Sequence, residues 1–301
     1  MISRFDMRDT IFEFIYTQLK TNKNIYIITV DFGSPILEKI KKKYPRNFIN
    51  AGISEQNAIT LACGMASQGK LVFVYSIASF IFSKAFEQIK IDASYNKNNI
   101  NILAVGNGYA YESAGPTHHA LEDIGVLKTI KDLNLYSPSD SLSAKKIVQK
   151  IIKKKSLNYV RLERFKNQII KINNKDIQNG FRIIGKKSDK LVISYGFITQ
   201  YLMKLKKNNF QILDLLRLKP INYLILNKYL KKYSNCTLIE EQSEYSGISG
   251  DISKNIIENK IKTKFKILNL KENDIYQVGT RDFIYKKINF TQKDILKKIL
   301  S

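Results

Sequence analysis

The stretch KLVFVYS, residues 70–76, is an unbroken run of apolar, aromatic and β-branched side chains between a glycine and a helical pattern. A continuous apolar run of this length is typical of a strand that is buried on both faces of a parallel sheet. Similar runs lie at 24–31, 101–106 and 159–162, and helical patterns lie between them at about 55–68, 81–94 and 139–153. Short strands that alternate with helices predict an α/β fold with a parallel sheet.

The second half of the chain repeats this organisation after a polar, lysine-rich interval at about 165–186. Predicted strands lie at 190–195, 210–215, 236–240 and 265–268, and helices fit at about 197–207, 222–232 and 246–258. We therefore predict two doubly wound, mostly parallel α/β domains, residues 1–180 and 181–301. In such folds ligands bind beyond the carboxyl ends of the strands.

The chain has 301 residues, 50 Lys and Arg against 26 Asp and Glu, and a formal charge of +24. Only 8 of the 50 basic residues are arginines, the residues best suited to bidentate contacts with nucleic acid. We interpret the excess lysine as a solvated surface, with docking of an acidic partner or steering of anionic substrates as the alternative.

The number of cysteines and the hydropathy of the sequence indicate the cellular compartment of the protein. Cys63 and Cys236 are the only cysteines, which excludes a disulfide scaffold and favours a reducing cytoplasm. No segment has the roughly 18 uncharged apolar residues of a membrane span. We expect a cytoplasmic protein with neither a membrane nor a nucleic acid as partner.

Three segments carry residues suited to chemistry, each after a predicted strand. The first, NAGISEQN at 50–57, places Glu55 in the first turn of a helix, with Ser54 as its N-cap. The second places Phe80 at a strand-to-helix corner, where its ring could stack on a ligand or belong to the core. The third, GPTHHALED at 115–123, holds both histidines of the chain in one loop. By itself, Glu55 is also explained by the helix dipole alone.

In this order and spacing the three segments resemble the pyrimidine-binding half of transketolases. GISEQN at 52–57 resembles the family's GIxEQN segment, residues 79–89 its aromatic helix, and residues 115–123 its GPTHxxxED loop. Glu240-Glu241 followed by SGISG at 246–250 resembles a corner of the transketolase C-terminal domain, so that the resemblance covers the whole chain.

The resemblance implies a thiamine diphosphate enzyme, in which the coenzyme carries the difficult step. Glu55 would be the catalytic glutamate that hydrogen-bonds a ring nitrogen of the coenzyme's pyrimidine. Phe80 would stack on that ring, with Phe82 as the alternative if the local alignment shifts, and Ile53 would also belong to the coenzyme-binding residues.

For the substrate, the resemblance implies that the catalytic His118 contacts the sugar hydroxyls near the reacting carbons. His119 is the weaker candidate, because many transketolases have Gln at its position. Arg164 occupies roughly the place of an arginine that binds a substrate phosphate, although a surface ion pair explains it equally well.

Two departures from the family pattern change the expectation. Ala114 stands where typical transketolases have an Asp that contacts a substrate hydroxyl, which puts the usual pentose phosphates in doubt. The diphosphate-binding half, with its Gly-Asp-Gly and later Asn, is missing, because Gly250-Asp251 is followed by Ile252. We predict no metal ligand in this chain.

The resemblance therefore implies the C-terminal subunit of a split transketolase that transfers a two-carbon ketol from a ketose, or its phosphate, to an aldose. A separate N-terminal subunit would hold Mg²⁺ and the diphosphate, and an α2β2 heterotetramer is expected. The alternatives are another half-enzyme of the same coenzyme, resembling deoxyxylulose-phosphate synthase or a 2-oxoacid dehydrogenase beta subunit, an inactive regulatory relative, or a basic nucleic-acid-binding protein.

Overall fold

The computed structural model describes Ser3 and residues 6–205 and 209–300, and it confirms the predicted fold class. In the described part of the chain, two mostly parallel sheets are built from β1 (Ile25–Thr29), β2 (Phe48–Asn50), β3 (Leu71–Ile77), β4 (Ile100–Val105), β5 (Leu133–Tyr136), β6 (Leu157–Leu162), β7 (Phe181–Ile184), β8 (Lys190–Ser194), β9 (Gln211–Leu215), β10 (Arg217–Lys219), β11 (Asn235–Ser243) and β12 (Lys264–Leu270).

Helices pack on the faces of these sheets. They are α1 (Met7–Gln18), α2 (Pro35–Lys43), α3 (Glu55–Ser67), α4 (Ala78–Lys84), α5 (Phe86–Gln88), α6 (Asp123–Leu127), α7 (Ser141–Ile151), α8 (Asn174–Asn179), α9 (Phe197–Met203), α10 (Tyr223–Leu230), α11 (Ser249–Glu258), α12 (Arg281–Lys287) and α13 (Gln292–Leu300). No helix within the described ranges combines the length and the apolar character that crossing a membrane requires.

The first sheet has the strand order β10-β5-β6-β4-β3-β1-β2, and all neighbours are parallel except the antiparallel pair β10 and β5. Every residue of β4 and β6 is buried, as expected for central strands with helices on both faces. This sheet brings the carboxyl ends of β6, β4, β3 and β2 to one edge.

The second sheet has the order β12-β11-β8-β9-β7, with β7 antiparallel to β9. The chain passes from the first sheet to the second at Gly180, between α8 and β7. Strand β10 then returns to the edge of the first sheet. We retain 1–180 and 181–301 as a proposed division of the chain, with β10 crossing between the two parts.

One predicted helix differs from the observed structure. The pattern over 81–94 is not a single helix, because α4 ends at Lys84, α5 covers only three residues, and a π-helical segment, Ile89–Tyr95, follows. The apolar periodicity is nevertheless real, since Ala85 and Ile89 are fully buried in the core.

Buried ion pairs hold the two sheets together, and Arg182 at the start of the second sheet makes the most extensive contacts. Its guanidinium donates to Asp214 at 2.8 Å and to Asp140, and also to the Ser139 hydroxyl at 2.6 Å. Asp140 caps α7 on the first sheet by accepting from the Ser143 backbone N–H at 2.8 Å. Arg182 therefore ties the cap of a first-sheet helix to β9 of the second sheet.

A second buried ion pair also links the two sheets. Arg161 on β6 forms a two-pronged ion pair with Asp123, at 2.8 and 3.2 Å, and both side chains are buried. The amide of Gln242, on β11 of the second sheet, donates to the same carboxylate at 3.1 Å. A buried charge is tolerated only when it is paired and fully hydrogen-bonded, so these contacts fix the packing of the two sheets.

We predict that Arg182→Met lowers the free energy of unfolding by about 3–5 kcal/mol, because it leaves two buried carboxylates without their cation. Urea unfolding followed by circular dichroism measures the effect. Arg46→Met is the matched control, since Arg46 is exposed, and it should change the stability by less than about 0.5 kcal/mol. Equal effects in the two variants would contradict this role of Arg182.

Candidate functional site

The predicted site residues lie beyond the carboxyl ends of neighbouring strands in the first sheet. Glu55 opens α3 after β2, and Phe80 lies in the first turn of α4 after β3. His118 lies in the long loop that follows β4, and Arg164 is the second residue after β6. Because these strands are parallel, their ends meet at the same edge, which is where α/β sheets bind ligands.

Glu55 is a buried carboxylate, with only 4% of its surface exposed. Its Oε2 lies 3.4 Å from Nζ of Lys84, the last residue of α4. Ser54 occupies the N-cap position but does not cap the helix with its side chain, because its hydroxyl donates to the Ala51 carbonyl at 2.7 Å. The negative charge of Glu55 at the start of α3 is favoured by the helix dipole.

Phe80 lies between Lys84 and His118. The Lys84 ammonium sits 4.7 Å from the centre of the Phe80 ring, and the ring of His118 packs edge-to-face against Phe80 at a centroid distance of 5.0 Å. Lys84 is four residues after Phe80, so both share one face of α4. Phe82, the alternative stacking residue, is buried in the core, whereas Ile53 is 78% exposed.

The contacts continue from His118 to Arg164. Tyr111 packs on His118 at 5.4 Å between ring centroids, and the guanidinium carbon of Arg164 lies 4.3 Å from the Tyr111 ring centre. The Thr117 hydroxyl is 2.9 Å from Nδ1 of His118. We call this set of touching side chains the catalytic row, after the role proposed for it below; its members are Glu55, Lys84, Phe80, His118, Tyr111 and Arg164.

Burial controls the chemistry of Tyr111. It raises the pKa of Tyr111 to about 12, although the nearby Arg164 guanidinium opposes the rise. The phenol therefore stays protonated at neutral pH and presents a neutral ring to the arginine. Lys84 and Tyr111 are members of the row that the sequence analysis missed. The position of Lys84, one helical turn after Phe80, is the signal that could have identified it.

The loop that carries His118 is closed by a bridge between Gly108 and Ala120, with N–H to carbonyl distances of 3.0 and 3.1 Å. Gly108 has a φ of +57°, and a Cβ there would collide with the carboxylate of Glu241 on β11. Only glycine allows the second sheet to approach the loop this closely. The base of the loop is thereby fixed against the second sheet.

His119 does not join the catalytic row. It is buried, its ring packs edge-to-face on Tyr109, and its Nε2 lies 2.9 Å from the Glu112 carbonyl. A carbonyl only accepts, so Nε2 must donate and therefore carries the proton of the neutral ring. Nδ1 is buried and has no hydrogen-bond partner among the described residues. Burial lowers the pKa of His119, which favours the neutral form.

The catalytic row combines groups of different chemistry along one edge. A buried carboxylate can accept a proton from a ring nitrogen, and the half-buried Phe80 offers a ring for stacking. The ring nitrogens of His118 can donate or accept hydrogen bonds, and the exposed guanidinium of Arg164 can bind a phosphate. Within the described residues, no cluster of three or more His, Cys, Asp or Glu side chains could hold a metal ion.

Residues 3–167 match the family described as "Transketolase, pyrimidine binding domain". The chain is 29% identical over 258 residues to an apulose-4-phosphate transketolase subunit of Phocaeicola vulgatus, covering 81% of each chain. It is 28% identical to a putative transketolase C-terminal section of Methanocaldococcus jannaschii, covering 93% of this chain and 91% of that protein.

The fold is likewise similar to a solved structure, described as a split gene transketolase in an inactive beta4 tetramer. The TM-score is 0.84 at 22% sequence identity, and the match covers 98% of this chain and 97% of the other.

We predict that His119 titrates below its usual pKa of 6.5, because burial disfavours the imidazolium. Since the unfolded chain takes up the proton first, this residue's contribution to stability falls as the pH drops below 6.5. NMR titration of the two histidine rings measures the pKa, and His119→Gln assigns the signals. A midpoint for His119 at or above 6.5 would disprove the prediction.

Proposed function

Because this chain belongs to the transketolase family through its pyrimidine-binding domain, we propose that it is the C-terminal subunit of a split, thiamine diphosphate-dependent transketolase. The observation that carries the proposal is the buried carboxylate of Glu55 at one end of the catalytic row. A carboxylate beside a stacking ring and a histidine is the set of groups that the pyrimidine end of the coenzyme requires.

The residues present fit only one end of thiamine diphosphate. When bound, the coenzyme supplies the carbanion chemistry that breaks and forms the carbon–carbon bond. Glu55, Phe80 and His118 would hold its pyrimidine ring and the reacting sugar. The chain lacks the Gly-Asp-Gly and later Asn expected for the diphosphate and Mg²⁺, so we assign these to a partner subunit.

Four members of the row have separate tasks in this proposal. The Glu55 carboxyl would hydrogen-bond a pyrimidine nitrogen of the coenzyme, and the low exposure of the carboxyl would keep water from competing for that bond. Phe80 would pack against the ring. His118 holds its Nδ1 near the Thr117 hydroxyl, which leaves Nε2 for a sugar hydroxyl or a transferred proton.

Arg164 lies at the other end of the row, where it would bind the phosphate of a sugar phosphate. The relative from Phocaeicola vulgatus is named for apulose 4-phosphate, which carries such a phosphate. Ala114 cannot accept a hydrogen bond from a sugar hydroxyl with its side chain. We therefore propose a ketose phosphate donor whose recognition does not need an acidic residue at position 114.

The partner is proposed to be an N-terminal transketolase subunit in an α2β2 assembly. Of the relatives, one is named as a transketolase subunit and another as a C-terminal section, and the chain covers only 38% of human transketolase. We also propose a cytoplasmic location, on the ground that Cys63 and Cys236 are both free and buried.

A second candidate activity shares the coenzyme. The chain is 27% identical over 295 residues to 1-deoxy-D-xylulose-5-phosphate synthase of Malacoplasma penetrans, covering 47% of that protein. A synthase of that type decarboxylates pyruvate, so release of carbon dioxide from pyruvate separates it from ketol transfer between sugars.

We predict that Glu55→Gln in the complex purified from the native host lowers kcat by about 100-fold or more, because the amide cannot exchange a proton with the coenzyme. Ketol transfer between sugar phosphates is the assay, and size-exclusion chromatography checks that the subunits still assemble. Glu38→Gln is the matched control, an exposed glutamate in the first turn of α2, and should keep full activity. Near-normal turnover by Glu55→Gln would remove the assigned role.

We predict that the isolated chain binds thiamine diphosphate weakly and without dependence on Mg²⁺, whereas the chain with its partner binds it tightly. The reason is that the metal and diphosphate contacts would belong to the other polypeptide. Isothermal titration calorimetry with and without Mg²⁺ makes the comparison. Tight, magnesium-dependent binding by this chain alone would contradict the split-subunit proposal.

A further inference from the structure

A cavity of about 580 Å³ lies between the two parts of the chain, behind the loop that carries the histidines. One wall is the segment 163–168 after β6, and the facing wall comes from α9 and its flanks, with Thr280, Arg281 and Asp282 closing the side. The volume is within the range of pockets that bind small molecules.

The cavity is separate from the catalytic row. Along the segment after β6, Glu163, Phe165 and Lys166 line the cavity, whereas the guanidinium of Arg164 between them lies over Tyr111 in the row. Glu112 also lines the cavity, and its carbonyl accepts from His119. The loop and this segment therefore divide the two spaces.

Three hydrogen-bond donors with positive charge line the cavity and are free to bind a ligand. The side chains of Lys166 and Lys204 make no ion pair or hydrogen bond with any described residue, and the Nε–H of the buried Arg281 has no acceptor there either. The Glu163 carboxylate accepts from the Arg281 guanidinium at 3.4 Å, whereas the Glu112 carboxylate accepts from the Arg281 backbone N–H at 3.3 Å. Of the lining carboxylates, Glu112 and Asp282 have no cation as partner among the described residues, and Asp282 lies at the exposed side.

The other side chains that line the cavity are either apolar or fixed by contacts within the protein. Phe165 offers a ring that is 43% exposed, and the guanidinium of Arg281 covers Phe197 at 3.6 Å. The Gln200 side chain is fixed by donating to the carbonyls of Ser139 and Gln168, at 3.0 and 2.8 Å. Because these side chains are already held in place, a ligand would not have to order them, which reduces the entropy cost of binding.

We propose that this cavity is a binding site for a small organic anion, a phosphate monoester or carboxylate with an apolar body. The oxygens of the anion would accept from Lys166, Lys204 and the Nε–H of Arg281, and the apolar body would pack on Phe165. Charge-assisted hydrogen bonds of this kind are the stronger class. The site does not depend on the proposed transketolase activity, because no member of the catalytic row lines it.

Phenyl phosphate is the probe, titrated into the full chain by calorimetry, with inorganic phosphate and phenol as its separate halves. Phenyl phosphate should bind at least about tenfold more tightly than either half, since both the charge and the ring are recognised. Failure to bind at concentrations of about 10 mM, or affinity no better than that of phosphate, would overturn the proposal.

Charge-removing variants locate the bound phosphate. Lys166→Gln and Lys204→Gln should each weaken phenyl phosphate binding about fivefold. Lys228→Gln, which removes an exposed lysine of α10 outside the cavity, should stay within about twofold of the unmodified chain. Less than about twofold weakening in both cavity variants, or equal weakening in Lys228→Gln, would overturn the assignment.

Discussion

Paired buried charges between the two sheets are the constraint on which the rest of the structure depends. Arg161, Arg182 and Arg281 are each buried among the described residues, and each binds a carboxylate while contacting the opposite part of the chain, which Arg161 does through the Tyr195 ring at 5.8 Å. An arginine in such a position cannot shift without leaving a charge unpaired, which is far more costly than losing an exposed ion pair. The two sheets are thus held in one relative position.

That position determines the surroundings of the catalytic row. Arg281 of the second part donates to the Asn107 carbonyl at the start of the histidine loop and to the Glu163 carboxylate beside Arg164. The row itself is carried by the first sheet, whereas its supports come from both. A row of six side chains spanning several segments needs such support, because misplacement by about one ångström is costly in catalysis.

The sequence predicted the central strands and four of the six members of the catalytic row, because both depend on local patterns. The run at 70–76 is long and apolar, and Glu55 and His118 lie in recognisable segments. Strands β2, β5, β7 and β10 were missed because each has only three or four residues and is defined by its pairing rather than by its composition. Lys84 and Tyr111 were missed for a related reason: their contacts join segments that only the folded sheet brings together.

Strand β10 ties the two parts of the chain together in a way that matters for any attempt to separate them. A fragment that ends near residue 180 would keep the other strands of the first sheet but would lose β10, leaving the backbone of β5 uncovered along one side. An uncovered edge invites pairing with other molecules and hence aggregation. The first half of this protein is therefore a poor candidate for independent expression, even though its own core is extensive.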